Sequence, residues 1–334
     1  MSDAILLAHG SGGKLGHELV EKKFIPFLAN PMLDRLDDSA IFEASGRFSF
    51  TTDSYVVNPI FFPGGDIGKL AVCGTVNDLS MSGAKPAYLS LSLIIEEGFS
   101  LDELDRIVQS IKASTEEAEV IIITGDTKVV NRGQADKLFI NTSGIGIIPE
   151  GVNISGANAK AGDEVILSGT IGDHGIAIMS QREGLKFSVS VQSDCAPLNK
   201  LVAQMLEAST KIHCLRDPTR GGLSSTLNEF AKQSNVGIIV EEDRIPVAEG
   251  VRAACELLGF DPMHVANEGK LVAVVEADDA DRILAKMKEN SYGRNAAIIG
   301  KITSEYAGKV VMKTNLGSSR IVDMLSGELL PRIC

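Results

Sequence analysis

The chain has 334 residues, with 32 basic and 44 acidic side chains and a formal net charge of −12. A chain of this length buries about three quarters of its unfolded surface, so its core needs no disulfide or metal, and the usual domain size predicts two domains. The acidic balance argues against nucleic acid and anionic membranes as partners, because both bind proteins through Lys and Arg.

The cysteines and the N-terminal segment indicate the compartment. Five cysteines without CxxC spacing fit neither a disulfide framework nor a structural zinc site. The N-terminal segment has a short apolar run and an acidic start, unlike a signal peptide, and no stretch reaches the roughly 18 apolar residues of a membrane helix. We therefore expect a cytoplasmic protein with free thiols.

The first half of the chain mixes strand and helix patterns. Strands are predicted at 48–52, 87–95, 120–124 and 137–147. The segment 65–83 is apolar almost all round a helix, so it should lie in the interior. A second helix is predicted at 101–118, where Ser100 can cap the N-terminus and Glu103 completes a capping box.

A turn-rich segment, 149–156, divides the chain. After it, helices are predicted at 173–180, 197–209, 222–233, 247–258 and 278–289, and strands at 236–240, 271–276, 297–302 and 309–312. Neither half alternates strictly between strand and helix, so the fold class is α+β in each of two domains. We place the domains at 1–150 and 151–314, and expect 315–334 to be a mobile tail with no packed element.

Four aspartates of the first half stand at element ends or on the interior helix: Asp38, Asp53, Asp78 and Asp126. Asp78 is the most informative, because a carboxylate within an apolar helix is costly unless it is paired or binds a metal. Several carboxylates that converge on one point repel each other, and Mg²⁺ bridging to phosphates relieves the repulsion. Taken singly, Asp38 and Asp53 are better explained as turn-capping residues, the usual role of such aspartates.

A glycine-rich loop near the N-terminus precedes a helical pattern. It contains Gly10, Ser11, Gly12, Gly13 and Lys14. Glycines let backbone N–H groups approach a phosphate closely, and the lysine could add a positive charge. The loop is not a Walker A motif, and a mobile terminal loop explains it equally well.

The segment 216–223 opens a helix in the second half. Asp217 and Pro218 are explained by helix capping and first-turn preference. Capping does not explain Arg216 and Arg220, which flank the turn and suit an anion at a helix N-terminus. Both interpretations stay open for this segment.

Two further residues could take part in chemistry. Glu268 precedes an apolar strand, where a turn is the default expectation but a general base is an alternative. Cys334 ends the expected tail, whereas Cys73, Cys195, Cys214 and Cys255 are expected to be buried apolar residues. An exposed thiol on an arm could be a nucleophile or carrier, or a cysteine of no consequence.

Together these motifs resemble the HypE family of hydrogenase maturation proteins, within the superfamily of aminoimidazole ribonucleotide synthetase, selenophosphate synthetase and thiamine-monophosphate kinase. The resemblance runs through essentially the whole chain and lies in the glycine loop, 37–40, 52–53, 77–84, 125–130 and 216–222. The sequence Pro331-Arg332-Ile333-Cys334 is the specific mark of HypE.

The resemblance implies a PurM-like fold, with an N-terminal half-barrel that pairs with a second subunit and a C-terminal α+β lid. ATP would bind beside that homodimer interface, with Mg²⁺ held by Asp38, Asp53, Asp78 and Asp126. It also implies that the carbamoyltransferase HypF loads Cys334 and that a HypC–HypD complex receives the cyanide for a [NiFe]-hydrogenase.

The expected reaction is an ATP-dependent dehydration of a thiocarbamate on Cys334 to a thiocyanate. Phosphoryl transfer needs positioning and charge neutralisation, for which Lys14 and Arg220 are candidates beside the aspartates. Glu268 and Lys128 are the candidate proton acceptors, and Lys128 could instead stabilise charge on the amide oxygen.

Two alternatives remain at this stage. The first is an enzyme of the superfamily that acts on a free small molecule, although a selenophosphate synthetase should carry a reactive cysteine in its glycine-rich segment, and the first cysteine here is Cys73. The second is a thiol metallochaperone without turnover, which the scattered cysteines do not favour.

Overall fold

The fold contains two large β-sheets. The computed structural model describes residues 4–10, 13–35, 39–182, 184, 191–324 and 332–334. The strands are β1 Arg47–Tyr55, β2 Phe61–Phe62, β3 Gly65–Asp66, β4 Lys85–Glu96, β5 Ile121–Val130, β6 Leu138–Ile148, β7 Glu164–Leu167, β8 Ile212–Arg216, β9 Gly237–Glu241, β10 Val272–Val275, β11 Ala297–Thr303, β12 Val310–Lys313 and β13 Ser319–Ile321. The helices are α1 Lys14–Leu19, α2 Ile25–Leu28, α3 Ile67–Met81, α4 Leu101–Ala118, α5 Asp173–Arg182, α6 Asn199–Ala208, α7 Gly222–Ser234, α8 Glu249–Leu258 and α9 Ala277–Glu289.

The first half forms a four-stranded sheet in the order β1-β6-β4-β5. The β4 and β5 strands are parallel, with α4 between them in the chain, and the other neighbours are antiparallel. Helix α3 covers the inner face of the sheet, and most of its residues are buried. The predicted interior helix is therefore confirmed, and α4 has the predicted bounds and Ser100 cap.

The second half forms a seven-stranded sheet in the order β13-β12-β9-β11-β7-β10-β8. Helix α7 packs on this sheet in one apolar cluster, and helices α6 and α9 pack on it in another. The mixture of sheets and helices in both halves confirms the α+β class. The proposed division of the chain at residue 150 falls between β6 and β7.

The segment after residue 314 corrects one prediction. The expectation of no packed element there is wrong, because β13 pairs with β12 and extends the second sheet. All three residues of β13 are exposed, so this strand has no buried apolar face that a sequence pattern could reveal. Residues 332–334 contact the body of the protein and are described below.

The contact between α3 and β1 limits the size of one residue. Gly74 lies on α3 against the ring of the buried Tyr55, and a Cβ at Gly74 would overlap the tyrosine hydroxyl. That hydroxyl also shares a hydrogen bond with Thr75 Oγ1, 3.2 Å away, so it cannot move without disturbing a buried polar contact.

We expect Gly74→Ala to lower the free energy of unfolding by about 1–3 kcal/mol, the usual cost of overpacking, although alanine is the better helix former. Urea denaturation of the two proteins measures the difference. A variant as stable as the parent would show that α3 and β1 are not held at this spacing.

Candidate active site

Residues 332–334 dock against the segment that follows β1. The backbone N–H groups of Val56 and Asn58 donate to the carbonyls of Cys334 and Arg332 at 3.1 and 3.2 Å. The Arg332 guanidinium donates to the Val56 carbonyl at 3.0 Å and to Asp136 at 2.5 Å. In this structure the end of the predicted tail is thus held by backbone and side-chain contacts.

Helix α5 contacts the tail from the other side. His174 Nε2 lies 2.8 Å from the Ile333 carbonyl oxygen, and Arg182 donates to the Arg332 carbonyl at 3.0 Å. The Ile333 side chain is 2% exposed and belongs to the apolar core that also contains residues of α3 and the first sheet. The docked tail therefore lies between elements of both halves of the chain.

Glu268 is buried near the Cys334 thiol. It is 3% exposed, and no described residue donates a hydrogen bond to its Oε1. Burial above all, and then the neighbouring Cys195 and Asp217, raises the pKa of Glu268 well above the usual carboxyl range. A raised pKa makes the ionised form of Glu268 a stronger base than an ordinary carboxylate, which is the property that a general base uses.

Asp194 holds the turn that carries Glu268. Its carboxylate accepts the backbone N–H groups of Glu268 and Gly269 at 3.1 and 3.2 Å, and the Lys270 ammonium at 3.2 Å. Burial opposes ionisation, but Lys270 and these donors outweigh it and lower the pKa of Asp194. A Cβ at Gly269 would overlap the Asp194 carbonyl, so glycine permits this close approach.

The docked Cys334 thiol is partly buried. Burial above all, and then the charge of Glu268, raises the pKa of Cys334 to about 12. The positive charge of Arg220 lowers this pKa, but by less. The docked thiol is therefore protonated at neutral pH and a poor nucleophile. This position suits a sulfur that already carries a group better than a sulfur about to attack one.

Three aspartates, Asp53, Asp78 and Asp217, lie close to one another beside Glu268 and Cys334, and we call the space between these residues the cleft. Asp78 accepts a hydrogen bond from Thr51 at 2.9 Å, and burial, opposed by that bond, raises its pKa with a contribution from Asp53. Burial, followed by the charge of Asp78, raises the pKa of Asp217 to about 7. The structure thus brings together the predicted Asp53 and Asp78, and adds Asp217.

These carboxylates have the donor chemistry that Mg²⁺ prefers, and their mutual repulsion is the kind that a cation relieves. In the part of the chain that the structure describes, no three His, Cys, Asp or Glu side chains stand close enough together to hold a metal ion by themselves. Phosphate oxygens would have to supply the remaining ligands. Asp38, the fourth predicted ligand, lies outside the described residues.

Asp126 and Lys128 lie on the opposite face of the first sheet. Asp53 pairs with Thr142, which faces the buried side, whereas Asp126 pairs with Ser92 in the adjacent register position and faces away. Strands β1 and β5 are separated by two strands, or about 14 Å. Lys128 donates to Asp126 at 2.7 Å, and both side chains are exposed. A single chain therefore does not join them to Glu268 and Cys334.

The glycine-rich segment lies beside β5. Gly10 packs against Val129, Gly13 caps α1 and the exposed Lys14 pairs loosely with Glu18 at 3.8 Å. Ser11 and Gly12 lie outside the described residues. A cavity of about 330 Å³ runs between this segment and β5, and its lining includes Gly10, Asp126 and Lys128. Phosphate binding by the segment stays a prediction.

The two arginines of the 216–223 turn differ. Arg216 forms an ion pair with Glu229 and also lies near Asp78. Arg220 is exposed at the start of α7, where its charge reaches the Cys334 thiol. Sequence reasoning assigned Asp217 to helix capping, and it missed Asp194 and His174 entirely. The lone signal for Asp217 was its position between two arginines.

Comparison with known protein families gives the class of the protein. Residues 36–148 match the family described as AIR synthase related protein, N-terminal domain, and residues 160–313 match AIR synthase related protein, C-terminal domain. Together with the two sheets, these matches define a two-domain AIR synthase related, PurM-like fold.

Relatives across nearly the full length give the narrower group. Carbamoyl dehydratase HypE of Azotobacter vinelandii is 53% identical over 332 residues, which cover 99% of this chain and 97% of that protein. A crystal structure of hydrogenase maturation protein HypE in complex with ATP is 50% identical, with a TM-score of 0.96 over 98% of this chain and 99% of that one. A HypE–HypF complex is also 50% identical, with a TM-score of 0.82 over 92% and 99% of the two chains. The chain belongs to the HypE family of carbamoyl dehydratases.

The raised pKa of Glu268 predicts a pH-dependent stability difference. The folded chain retains a proton on Glu268 above the pH at which the unfolded chain loses it, so the carboxyl destabilises the fold increasingly as the pH rises. We expect Glu268→Gln to unfold with a free energy that exceeds the parent's by roughly 1–3 kcal/mol at about pH 8, and by less at about pH 5.

Urea denaturation at the two pH values measures this difference. Glu116→Gln is the matched control, because that side chain is 67% exposed, and it should give no such gain. Equal stability of Glu268→Gln and the parent at both pH values would contradict the buried, unpaired carboxyl.

Proposed function

We propose that this protein removes water from a carbamoyl group carried on Cys334, in a reaction that consumes ATP and leaves a thiocyanate. The thiocyanate would provide the cyanide ligand for the iron of a [NiFe]-hydrogenase. The observation that carries the proposal is the docked Cys334, whose sulfur lies near the buried Glu268 and near Asp53. Membership of the carbamoyl dehydratase family supports it.

The chemistry requires activation of a poor leaving group. The oxygen of the thiocarbamate on Cys334 attacks the γ-phosphate of ATP, which releases ADP and converts the oxygen to a phosphate ester. The nitrogen loses one proton in this step and a second as phosphate departs, which forms the C≡N bond. The chain must position the two reactants and accept protons from nitrogen.

Glu268 is the candidate proton acceptor that the structure favours. Its turn is held by Asp194, and no described residue donates a hydrogen bond to its Oε1 that would stabilise the charged form. The tail delivers the nitrogen from within the same chain, so no encounter with a free substrate is needed. Asp194 thus holds the turn, and Glu268 accepts the proton from nitrogen.

The aspartates and Arg220 suit the phosphate end of the reaction. We propose that ATP binds with its triphosphate toward Asp53, Asp78 and Asp217, which would share Mg²⁺ with the phosphates. Asp38, which lies outside the described residues, would be a further ligand. Bound Mg²⁺ supplies charge neutralisation at the phosphates. Arg220 lies near the sulfur and would act on the same negative charge from the protein side.

A second copy of the chain would complete the site. The outer face of the first sheet exposes Phe48 and Phe50, with exposed fractions of 44% and 68%, as well as Ile147. Asp126 and Lys128 lie on that face. We propose that two copies pair through this face as a homodimer, and that Asp126 and Lys128 of one copy serve the cleft of the other.

The partners follow from the state of the thiol. The docked Cys334 is protonated, so loading needs the tail to leave the cleft and meet a carbamoyltransferase, for which the HypF family is the candidate. A HypC–HypD complex would then receive the cyanide. We place these reactions in the cytoplasm, where free thiols persist. Within the described residues, no helix is both long and apolar enough to cross a membrane.

The alternative of a superfamily enzyme for a free small molecule makes a different prediction about Cys334. We expect Cys334→Ser to abolish thiocyanate formation, because the variant lacks the thiol that carries the substrate. ATP binding should stay intact, because the aspartates of the cleft are unchanged. A free-substrate enzyme would keep its turnover.

Intact mass spectrometry after incubation with a carbamoyl donor system and ATP follows the reaction. The parent should gain about 43 Da for the carbamoyl group and then retain about 25 Da for the cyano group, as a covalent carrier must. Cys195→Ser, which removes a buried thiol beside Glu268, is the matched control and should still gain the carbamoyl mass. A cyano adduct on Cys334→Ser would contradict the proposal.

Sharing of the site between two copies can be tested by mixing inactive variants. Asp126→Asn and Glu268→Gln should each be inactive alone. In a mixed dimer, one of the two sites contains the native Glu268 and the partner's native Asp126. Random re-pairing of equal amounts should therefore restore about a quarter of the parent activity.

Phosphate release from ATP in the presence of carbamoylated protein measures this recovery. A mixture of Asp78→Asn with Glu268→Gln is the control, because both residues belong to the same copy's cleft, and it should stay inactive. Recovery in the control but not in the first mixture would overturn the shared site.

A further inference from the structure

The Ile333 carbonyl needs a donor that the neighbouring backbone does not supply. Val56 and Asn58 donate to the carbonyls of Cys334 and Arg332, the alternating pattern of two antiparallel segments. The Ile333 carbonyl between them accepts neither of these N–H groups, and Ile333 is only 2% exposed. An unpaired carbonyl in that position would oppose docking of the tail.

His174 supplies this donor. Its Nε2 lies 2.8 Å from the Ile333 oxygen, and its Nδ1 lies 2.8 Å from Ser193 Oγ. The imidazole is buried, which lowers the pKa of His174 and favours the neutral ring. A carbonyl can only accept, so Nε2 carries the proton and Nδ1 accepts from the Ser193 hydroxyl, which in turn accepts the Cys195 N–H at 3.1 Å.

We propose that His174 is a positioning residue for the dehydration: it selects the docked state of the tail by donating to the Ile333 carbonyl. Ser193 fixes the tautomer that can donate. The contact is to backbone, so it sets how far the tail inserts whatever group the Cys334 sulfur carries. The inference rests on the proposed role of Cys334 as the carrier.

The docked fraction can be measured without the reaction. The Cys334 thiol is partly buried and has a raised pKa when docked, so alkylation should proceed mainly through the undocked state. Loss of one hydrogen bond to a buried carbonyl should shift the docking equilibrium by about tenfold. The alkylation rate of Cys334 should rise by the same factor.

The experiment compares His174→Leu with His174→Gln in the full-length chain. We expect His174→Leu to raise the rate of iodoacetamide alkylation at Cys334 about tenfold and to slow thiocyanate formation, with ATP binding unchanged. Gln can place its Nε2 donor near the position of the imidazole nitrogen, so His174→Gln should return both rates toward those of the parent.

Two controls separate undocking from general loosening. Cys214 is buried in a different apolar cluster, and its alkylation in the same sample should not change. His213→Gln removes a half-buried histidine whose Nδ1 lies 2.7 Å from Asp163, and it should leave the Cys334 rate unchanged.

An unchanged Cys334 alkylation rate in folded His174→Leu overturns the inference. If that variant does not fold, Ser193→Ala decides: about threefold faster alkylation supports the inference and an unchanged rate overturns it. A third outcome separates the two proposals. If the parent forms no thiocyanate but His174→Leu still accelerates alkylation of Cys334, the proposed reaction is overturned and the docking role of His174 is supported.

Discussion

The candidate site depends on one buried carboxylate, that of Asp194. It gathers the backbone N–H groups of Glu268 and Gly269 and the ammonium of Lys270, so the donors of this turn are directed at Asp194. Burial above all, and then the neighbouring Cys195 and Asp217, raises the pKa of the Glu268 carboxyl, whose Oε1 accepts no hydrogen bond from the described residues. Asp194 stays ionised and holds the turn, and Glu268 on that turn is the residue that can exchange a proton.

The geometry of the first sheet divides the remaining candidates. Alternation along a strand sends Asp53 to the inner face and Asp126 to the outer face, and no rotamer change moves a side chain from one face to the other. A reaction that needs both residues therefore needs two copies of the sheet. The homodimer that we propose thus rests on the period of a strand as well as on the exposed apolar residues of the outer face.

The sequence predicted what local patterns determine. The apolar circumference of α3 marked it as interior, the Ser100 cap marked the start of α4, and the cost of a carboxylate on an apolar helix singled out Asp78. These features depend on residues within a few positions of each other, so spacing alone reveals them.

Other parts of the site depend on contacts between distant residues. Asp217 is a plausible cap by its neighbours, and its role becomes visible when α3 brings Asp78 beside it. Asp194 and His174 belong to no short motif, because each acts on backbone groups far along the chain. The strand β13 is exposed on every residue, so no hydrophobic period could announce it.

The burial of Ile333 has a thermodynamic consequence for exchange between proteins. Withdrawing the tail exposes this side chain and leaves a gap in a core that includes α3, at a cost of about 2 kcal/mol or more. Any protein that binds Cys334 in an undocked position must therefore compensate this cost with contacts of its own. Encounters too weak to do so leave the Cys334 sulfur in its docked, partly buried position.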